Sequence, residues 1–241
     1  GGRMTASMRL SSGSSFAMKR FATHQGGIWD GMKWFVGDFN GDGKSDIMKL
    51  WNDNGTMTAD VHVSNGTGFT MQRWATKQGG FWDAQKWYVG DFNGDGKTDL
   101  MKLWDDNGTM TADVHLSTGS SFAMHRFATN QGGIWAGMIW KVGDFNGDGK
   151  TDLMKLWNDK DTMTADVHLS NGSSFAMHRF ATNQGGMWDG MHWWVADFNG
   201  DGKADLAKDW NDNGTMTVDV HLSSGSSFAM HRFATHQGGF W

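Results

Sequence analysis

Asp38-Phe39-Asn40-Gly41-Asp42-Gly43-Lys44 recurs without change at 91–97, 144–150 and 197–203, always at a step of 53 residues. The same step carries Trp29, Trp82, Trp135, Trp188 and Trp241, and His62, His115, His168 and His221. A period of this size marks stacked supersecondary units, each of which buries its apolar faces only against its neighbours. The chain therefore reads as one repeat array. It has a partial repeat at 1–29, full repeats at 30–82, 83–135 and 136–188, and a last repeat at 189–241.

Working outward from the second copy of that heptapeptide, Lys86 to Asp91 is short, aromatic and β-branched, and predicts a strand that runs into the Asp/Asn/Gly loop. Leu100 to Trp104 predicts a second strand, and Asn107-Gly108 supplies the positive backbone angles of a tight hairpin. Met110 to Leu116 alternates strictly and predicts a third strand; after a Gly/Ser turn, Phe122 to Phe127 predicts a fourth. Four short antiparallel strands per repeat, with no helical period, predict an all-β fold: a β-propeller of four-stranded antiparallel blades, about four and a half in this chain. A β-solenoid is the rival, but it would use shorter rungs and would not need a tight turn after every strand. Five full repeats would need 265 residues, 24 more than the 241 present. The expectation is a piece of a longer propeller or a homo-oligomer whose chains complete the ring.

Composition narrows the function. With no cysteine there is neither a disulfide framework nor a thiolate metal site. The net charge of −5 is mild, and without a basic stripe nucleic acid is not expected as a partner. Apolar runs are too short to span a bilayer, so no membrane insertion is expected. No signal peptide is visible, although the sequence opens in mid-repeat. Proline is absent, which leaves the turns to 35 glycines with Asn, Asp and Ser, and 15 tryptophans accompany one tyrosine.

In the heptapeptide loop, Asp38, Asn40, Asp42 and Asp46 hold positions 1, 3, 5 and 9, with Gly43 at position 6. The pattern repeats at Asp91, Asn93, Asp95 and Asp99; at Asp144, Asn146, Asp148 and Asp152; and at Asp197, Asn199, Asp201 and Asp205. Alternate oxygens on a tight loop converge on one point, as Ca2+ requires, and such an ion would be structural; no organic cofactor is expected. The other reading is an Asx-type turn in which these side chains bond their own backbone.

A second motif, Gln25-Gly26-Gly27 followed by Trp29, recurs as Gln78, Gly79, Gly80 and Trp82; Gln131, Gly132, Gly133 and Trp135; and Gln184, Gly185, Gly186 and Trp188. It lies between the last strand of one repeat and the first of the next. Paired glycines admit close approach to the backbone, Gln both donates and accepts, and an indole offers a flat apolar face, a combination suited to a sugar. A further Trp follows at Trp34, Trp87, Trp140 and Trp193, and a third at Trp51, Trp104, Trp157 and Trp210. Interblade packing accounts for most such rings, so one of the three per repeat is expected to face a ligand, with Trp29 and its equivalents first.

His62, His115, His168 and His221 share a strand face with Asp60, Asp113, Asp166 and Asp219. Such pairs suit general acid–base work. They equally suit a hydrogen-bonded ladder reaching Arg73, Arg126, Arg179 and Arg232. Because every candidate acid or base occurs four times, the expectation is that the chain is not an enzyme.

The loop with the following DLMKLW resembles the FG-GAP/VCBS class of propeller repeat, a resemblance that covers the whole chain and implies calcium in the loop. With ADVHLS, SSFAMHRFAT and QGGFWD at this period, the chain resembles the fucose-binding propeller lectins of the Photorhabdus type. Those are seven-bladed, with sugar pockets in the seams between blades. The resemblance implies a multivalent lectin for L-fucose or related sugars. It would act on glycans or glycoconjugates of cell surfaces, secreted or at the cell surface. A protein-interaction or scaffolding propeller is the alternative.

Overall fold

The structure, a computed structural model, describes residues 2–239; Trp241, the fifth tryptophan of the series, lies outside the described residues. All described regular structure is β. A two-stranded sheet, β1 (Gly2–Ser11) and β2 (Phe16–Ile28), comes first. A four-stranded sheet follows, made of β3 (Lys33–Gly37), β4 (Asp46–Asp53), β5 (Thr56–Ser64) and β6 (Phe69–Gly80). The next contains β7 (Lys86–Gly90), β8 (Asp99–Asp106), β9 (Thr109–Ser117) and β10 (Phe122–Ala128). Then come β11 (Ile139–Gly143), β12 (Asp152–Asp159), β13 (Thr162–Ser170) and β14 (Phe175–Gly186). The last sheet holds β15 (His192–Ala196), β16 (Asp205–Asp212), β17 (Thr215–Ser223) and β18 (Phe228–Gly239). Within each sheet the strands lie in chain order, as an antiparallel meander.

The hairpins follow from local chemistry. Asp53 pairs with Thr56, so Asn54-Gly55 is a two-residue turn with φ of 54° and 84°, the mirror-image turn that matches strand twist. Thr162 pairs with Asp159 around Lys160-Asp161, which take the same positive φ (55° and 66°) without a glycine. The second and third strands of a repeat are buried on both faces, as in β9, and form the middle of the core.

Packing divides the chain into two compact units. The first runs to Val89 and adds Asp95–Leu103 and Asp113–His125; the second comprises Gly90–Gly94, Trp104–Ala112 and everything from Arg126. In the first, one cluster joins Phe39, Leu50, Val61 and Trp74 to Trp87, Leu100 and Phe122 of the following repeat. In the second, Phe145, Leu156, Val167 and Phe180 join Trp193, Leu206 and Phe228 in the same way. Each repeat thus completes its core with side chains of the next.

Main-chain stitches accompany this packing. The Thr98 N–H donates to the Asp38 carbonyl at 2.7 Å, Thr151 to Asp91 at 2.6 Å and Ala204 to Asp144 at 2.7 Å. The Ser117, Ser170 and Ser223 hydroxyls donate to the Phe39, Phe92 and Phe145 carbonyls, each at 2.6 Å.

One expectation changes. In β6, β14 and β18 Gln-Gly-Gly is the end of the last strand and not a loop between strands, whereas Gln131-Gly132-Gly133 follows the end of β10, as expected. The strand continues because it bulges, with Met57 opposite Gln78 and Thr56 opposite Gly80. Lys77 enters the left-handed region (φ 52°), as do Asn130 and Asn183 (φ 51°).

Candidate binding site at the repeat junctions

The bulge turns the glutamine toward the next repeat. Gln25 donates from Nε2 to the Phe69 carbonyl at 2.6 Å, Gln78 to Phe122 at 3.1 Å, Gln131 to Phe175 at 2.8 Å and Gln184 to Phe228 at 2.8 Å. These amides therefore bind protein. The first glycine of each pair is fixed by close approach: a Cβ on Gly26, Gly79, Gly132 or Gly185 would stand 2.6–2.8 Å from the Nζ of Lys49, Lys102, Lys155 or Lys208. The same lysines donate to the carbonyls of Gly27 (3.0 Å), Gly80 (3.2 Å), Gly133 (3.1 Å) and Gly186 (2.7 Å).

Over the second glycine lies the indole. A Cβ on Gly27, Gly80, Gly133 or Gly186 would fall 2.5–3.0 Å from Cζ3 of Trp29, Trp82, Trp135 or Trp188, so only glycine lets the ring settle there. These four rings remain 45, 42, 50 and 48 % exposed. Trp34 is also exposed, whereas Trp87, Trp140 and Trp193 are buried and present little surface to a ligand. The buried three are packed against His115, His168 and His221 at ring separations of 6.4 Å.

Beside the exposed indole stands a group that sequence reasoning placed no ligand on. Trp29 meets Trp51 edge-on at 5.3 Å, Trp135 meets Trp157 at 5.6 Å, and Trp188 meets Trp210 at 5.5 Å. The guanidiniums of Arg73, Arg126, Arg179 and Arg232 lie 5.0–5.2 Å from Trp51, Trp104, Trp157 and Trp210. Arg73, Arg179 and Arg232 also bond the carboxylates of Asp60, Asp166 and Asp219, which face Lys49, Lys155 and Lys208 at 3.4, 3.7 and 3.6 Å. The signal was available: Lys49, Asp60 and Arg73 are cross-strand partners in one row. Reading it required the register. A cavity of about 270 Å³ opens by Trp188, lined also by Ile139, Asn158, Met187, Asp189, Met191 and Trp193. It brings together two of the sequence-named residues, Trp188 and Trp193, but not Gln184, Gly185 or Gly186.

The histidines do not form the expected ladder to arginine. Both ring nitrogens of His62, His115 and His221 are buried without a hydrogen-bond partner, and His168 reaches Gln131 at 3.5 Å. Burial first, and then repulsion from Lys102, pushes His115 down to about 4; the same causes with Lys155 push His168 to about 3.

The acidic loops do not fit a calcium cage as arranged. Asp38 accepts from the N–H of Gly41, Asp42 and Gly43 at 2.8, 3.0 and 2.7 Å, the pattern of an Asx turn. Asp46 gives both oxygens to main-chain donors, Ser64 at 2.7 Å and Phe39 at 3.2 Å. Asp152 does the same with Ser170 at 2.8 Å and Phe145 at 2.9 Å, as does Asp205 with Ser223 and Phe198. Burial, with lesser repulsion from Asp144 and Asp148, pushes Asp152 up to about 7. Asp42 and Asp148 hold their own lysines, Lys44 and Lys150, as Asp95 holds Lys97. Among the described residues no group of three acidic or histidine side chains is placed to hold a metal.

Neither a protein-family profile nor a curated protein matches the chain. Among solved structures it is similar to a chain of the Photorhabdus luminescens Tc holotoxin pore, with a TM-score of 0.50 and 12 % identity over 94 % of this chain. The likeness is one of fold alone. This chain spans 13 % of that toxin chain. Two rhamnogalacturonan lyases also match: exotype YesX (TM-score 0.45, 14 % identity) and YesW (TM-score 0.44, 12 % identity). Each match covers 98 % of this chain and 52 or 54 % of the lyase.

The expectation that the chain is not an enzyme is corrected here. Against it stand two enzymes, the lyases, among the similar solved structures, at TM-scores that assign no activity to this chain. The premise of strict repetition also fails inside the chain. In the last sheet alone, Asp209 accepts from His192 Nδ1 at 2.8 Å and from Trp194 Nε1 at 2.5 Å, where the three preceding repeats have Leu50, Leu103 and Leu156.

Proposed function

We propose that the chain is a multivalent carbohydrate-binding protein whose repeats are propeller blades. It takes L-fucose or a related sugar at its repeat junctions, on glycans of cell surfaces outside the cell. The observation that supports this reading is the exposed indole laid over a glycine at Trp29, Trp82, Trp135 and Trp188, with a second indole and an arginine–aspartate pair beside Trp29, Trp135 and Trp188. A sugar ring carries C–H groups on one face and hydroxyls at its rim. Trp135 would take the face, while Arg179 and Asp166 would take the rim. Burying a large exposed indole is favourable by ~1.5–3 kcal/mol, which gives a single site only modest affinity. Several sites on one chain raise the avidity ~10²–10⁴-fold on a glycan-coated surface.

The test is a glycan array followed by titration with free fucose. Binding inhibited by fucose is expected, with Trp135→Ala plus Trp188→Ala lowering array binding at least tenfold while circular dichroism stays unchanged. An array without signal would remove the lectin reading.

A further inference from the structure

Six ring contacts, two at each of three junctions, define how one repeat receives the next. Phe122 sits on Phe39 at 6.2 Å and Trp74 at 5.3 Å; Phe175 sits on Phe92 at 6.1 Å and Phe127 at 5.3 Å. Phe228 sits on Phe145 at 6.0 Å and Phe180 at 5.2 Å. Two rings of the receiving repeat form the seat, and the first residue of the next repeat's last strand fills it. All nine rings are buried, at 0–3 % exposure.

The last sheet carries such a seat without its filler among the described residues: Phe198 and Phe233 are 40 and 51 % exposed. The first sheet carries a filler without a seat, because Phe16, at the same position of its strand as Phe122, is 70 % exposed. Other halves match too. Among the described residues Gln237 donates to the Thr235 carbonyl, at 3.3 Å, where earlier glutamines reach the phenylalanine carbonyl of the next repeat. A Cβ on Gly238 would meet nothing within 4 Å, whereas at Gly185 it would meet Met230 Sδ at 2.6 Å; Met18, the counterpart of Met230, is 72 % exposed against 43 % for Met230.

We propose that this face of the last sheet binds the β1–β2 sheet of a second copy of the chain, with Phe16 seated between Phe198 and Phe233. The substitutions in the last repeat separate a second copy from a face merely left bare. Leu50 belongs to the same buried cluster as Trp87 and Leu100, which lie on the first two strands of the following repeat. Among the described residues the β1–β2 sheet holds only its two strands, and at the Leu50 position the last repeat has Asp209, bonded to His192 and Trp194. The seat is thus polar where β1–β2 brings nothing and apolar where it brings Phe16. The contact is heterologous, so each copy offers one seat and one filler.

Sedimentation of the full chain over a hundredfold concentration range should show self-association, weakened at least tenfold by Phe16→Ser and equally by Phe233→Ser. Both side chains are exposed, so each variant should keep the parent's melting temperature. An equimolar mixture of the two variants is the decisive measurement. Phe233→Ser retains the filler and Phe16→Ser retains the seat, so they should form a heterodimer that grows no further. A parent that stays monomeric, variants that associate as the parent does, or a mixture without heterodimer would each overturn the proposal.

Discussion

At Lys160-Asp161 two ordinary residues hold the left-handed backbone that Asn-Gly holds at 54–55, 107–108 and 213–214. A non-glycine residue there is strained by ~1–2 kcal/mol, so Asp161→Gly is expected to stabilise the protein by about 1 kcal/mol, read as a higher urea midpoint at unchanged slope. The buried imidazoles give a prediction of opposite character. The folded pKa of His115 is depressed to about 4 from an ordinary 6.5, so the unfolded chain takes up the proton first. The stability tied to the neutral ring is present above pH 6.5 and is lost on acidification toward 4, at about 1.4 kcal/mol per pH unit. His115→Gln should therefore lose about 2 kcal/mol less than the parent between pH 7 and pH 4.5, measured by denaturant titration at each pH.

At the scale of the element, the position-9 aspartate is a clamp between the strand it opens and two main-chain donors. Asp152→Ala leaves the Phe145 and Ser170 N–H groups buried and unpaired, at a cost of about 1–3 kcal/mol for each group. Thermal unfolding should register that loss, and the parent's melting temperature should not move on addition of EGTA; a fall with chelator would return calcium to the loop. The strand pattern was legible in the sequence because turn residues and period-two alternation are local signals: β7 to β10 differ from the expected strands by only one or two residues at their ends. The path of Gln-Gly-Gly was not legible. It depends on a bulge whose register is fixed by β5, and the glutamine's partner lies 44 residues away. The glycine context singled out the Trp135 ring in the sequence, whereas Arg179 was legible only as the end of a ladder, because its stacking on Trp157 arises when three strands align.

For the molecule as a whole, stability in an array is a sum of repeat terms and nearest-neighbour terms. Phe175→Ala removes a filler from its seat and should cost ~3–5 kcal/mol, the usual range for a buried aromatic. That loss falls on one junction, so calorimetry should split a single unfolding transition into two. An equal truncation of Trp135, which is half exposed, should leave the transition single.

The stitch from Thr151 to the Asp91 carbonyl, and its counterparts at Thr98 and Ala204, joins main chain to main chain. No particular side chain is required on the donor, and threonine and alanine already share the position. That bond is blind to the side chain on its far side, provided the position is not proline, and the phenylalanine and serine that the same junction does require recur in each full repeat. A 53-residue block can therefore be copied or excised in one genetic event, and the severed neighbours can rejoin without a compensating mutation. Array length is in this sense a freely inherited variable, while the chemistry of each junction is passed on intact.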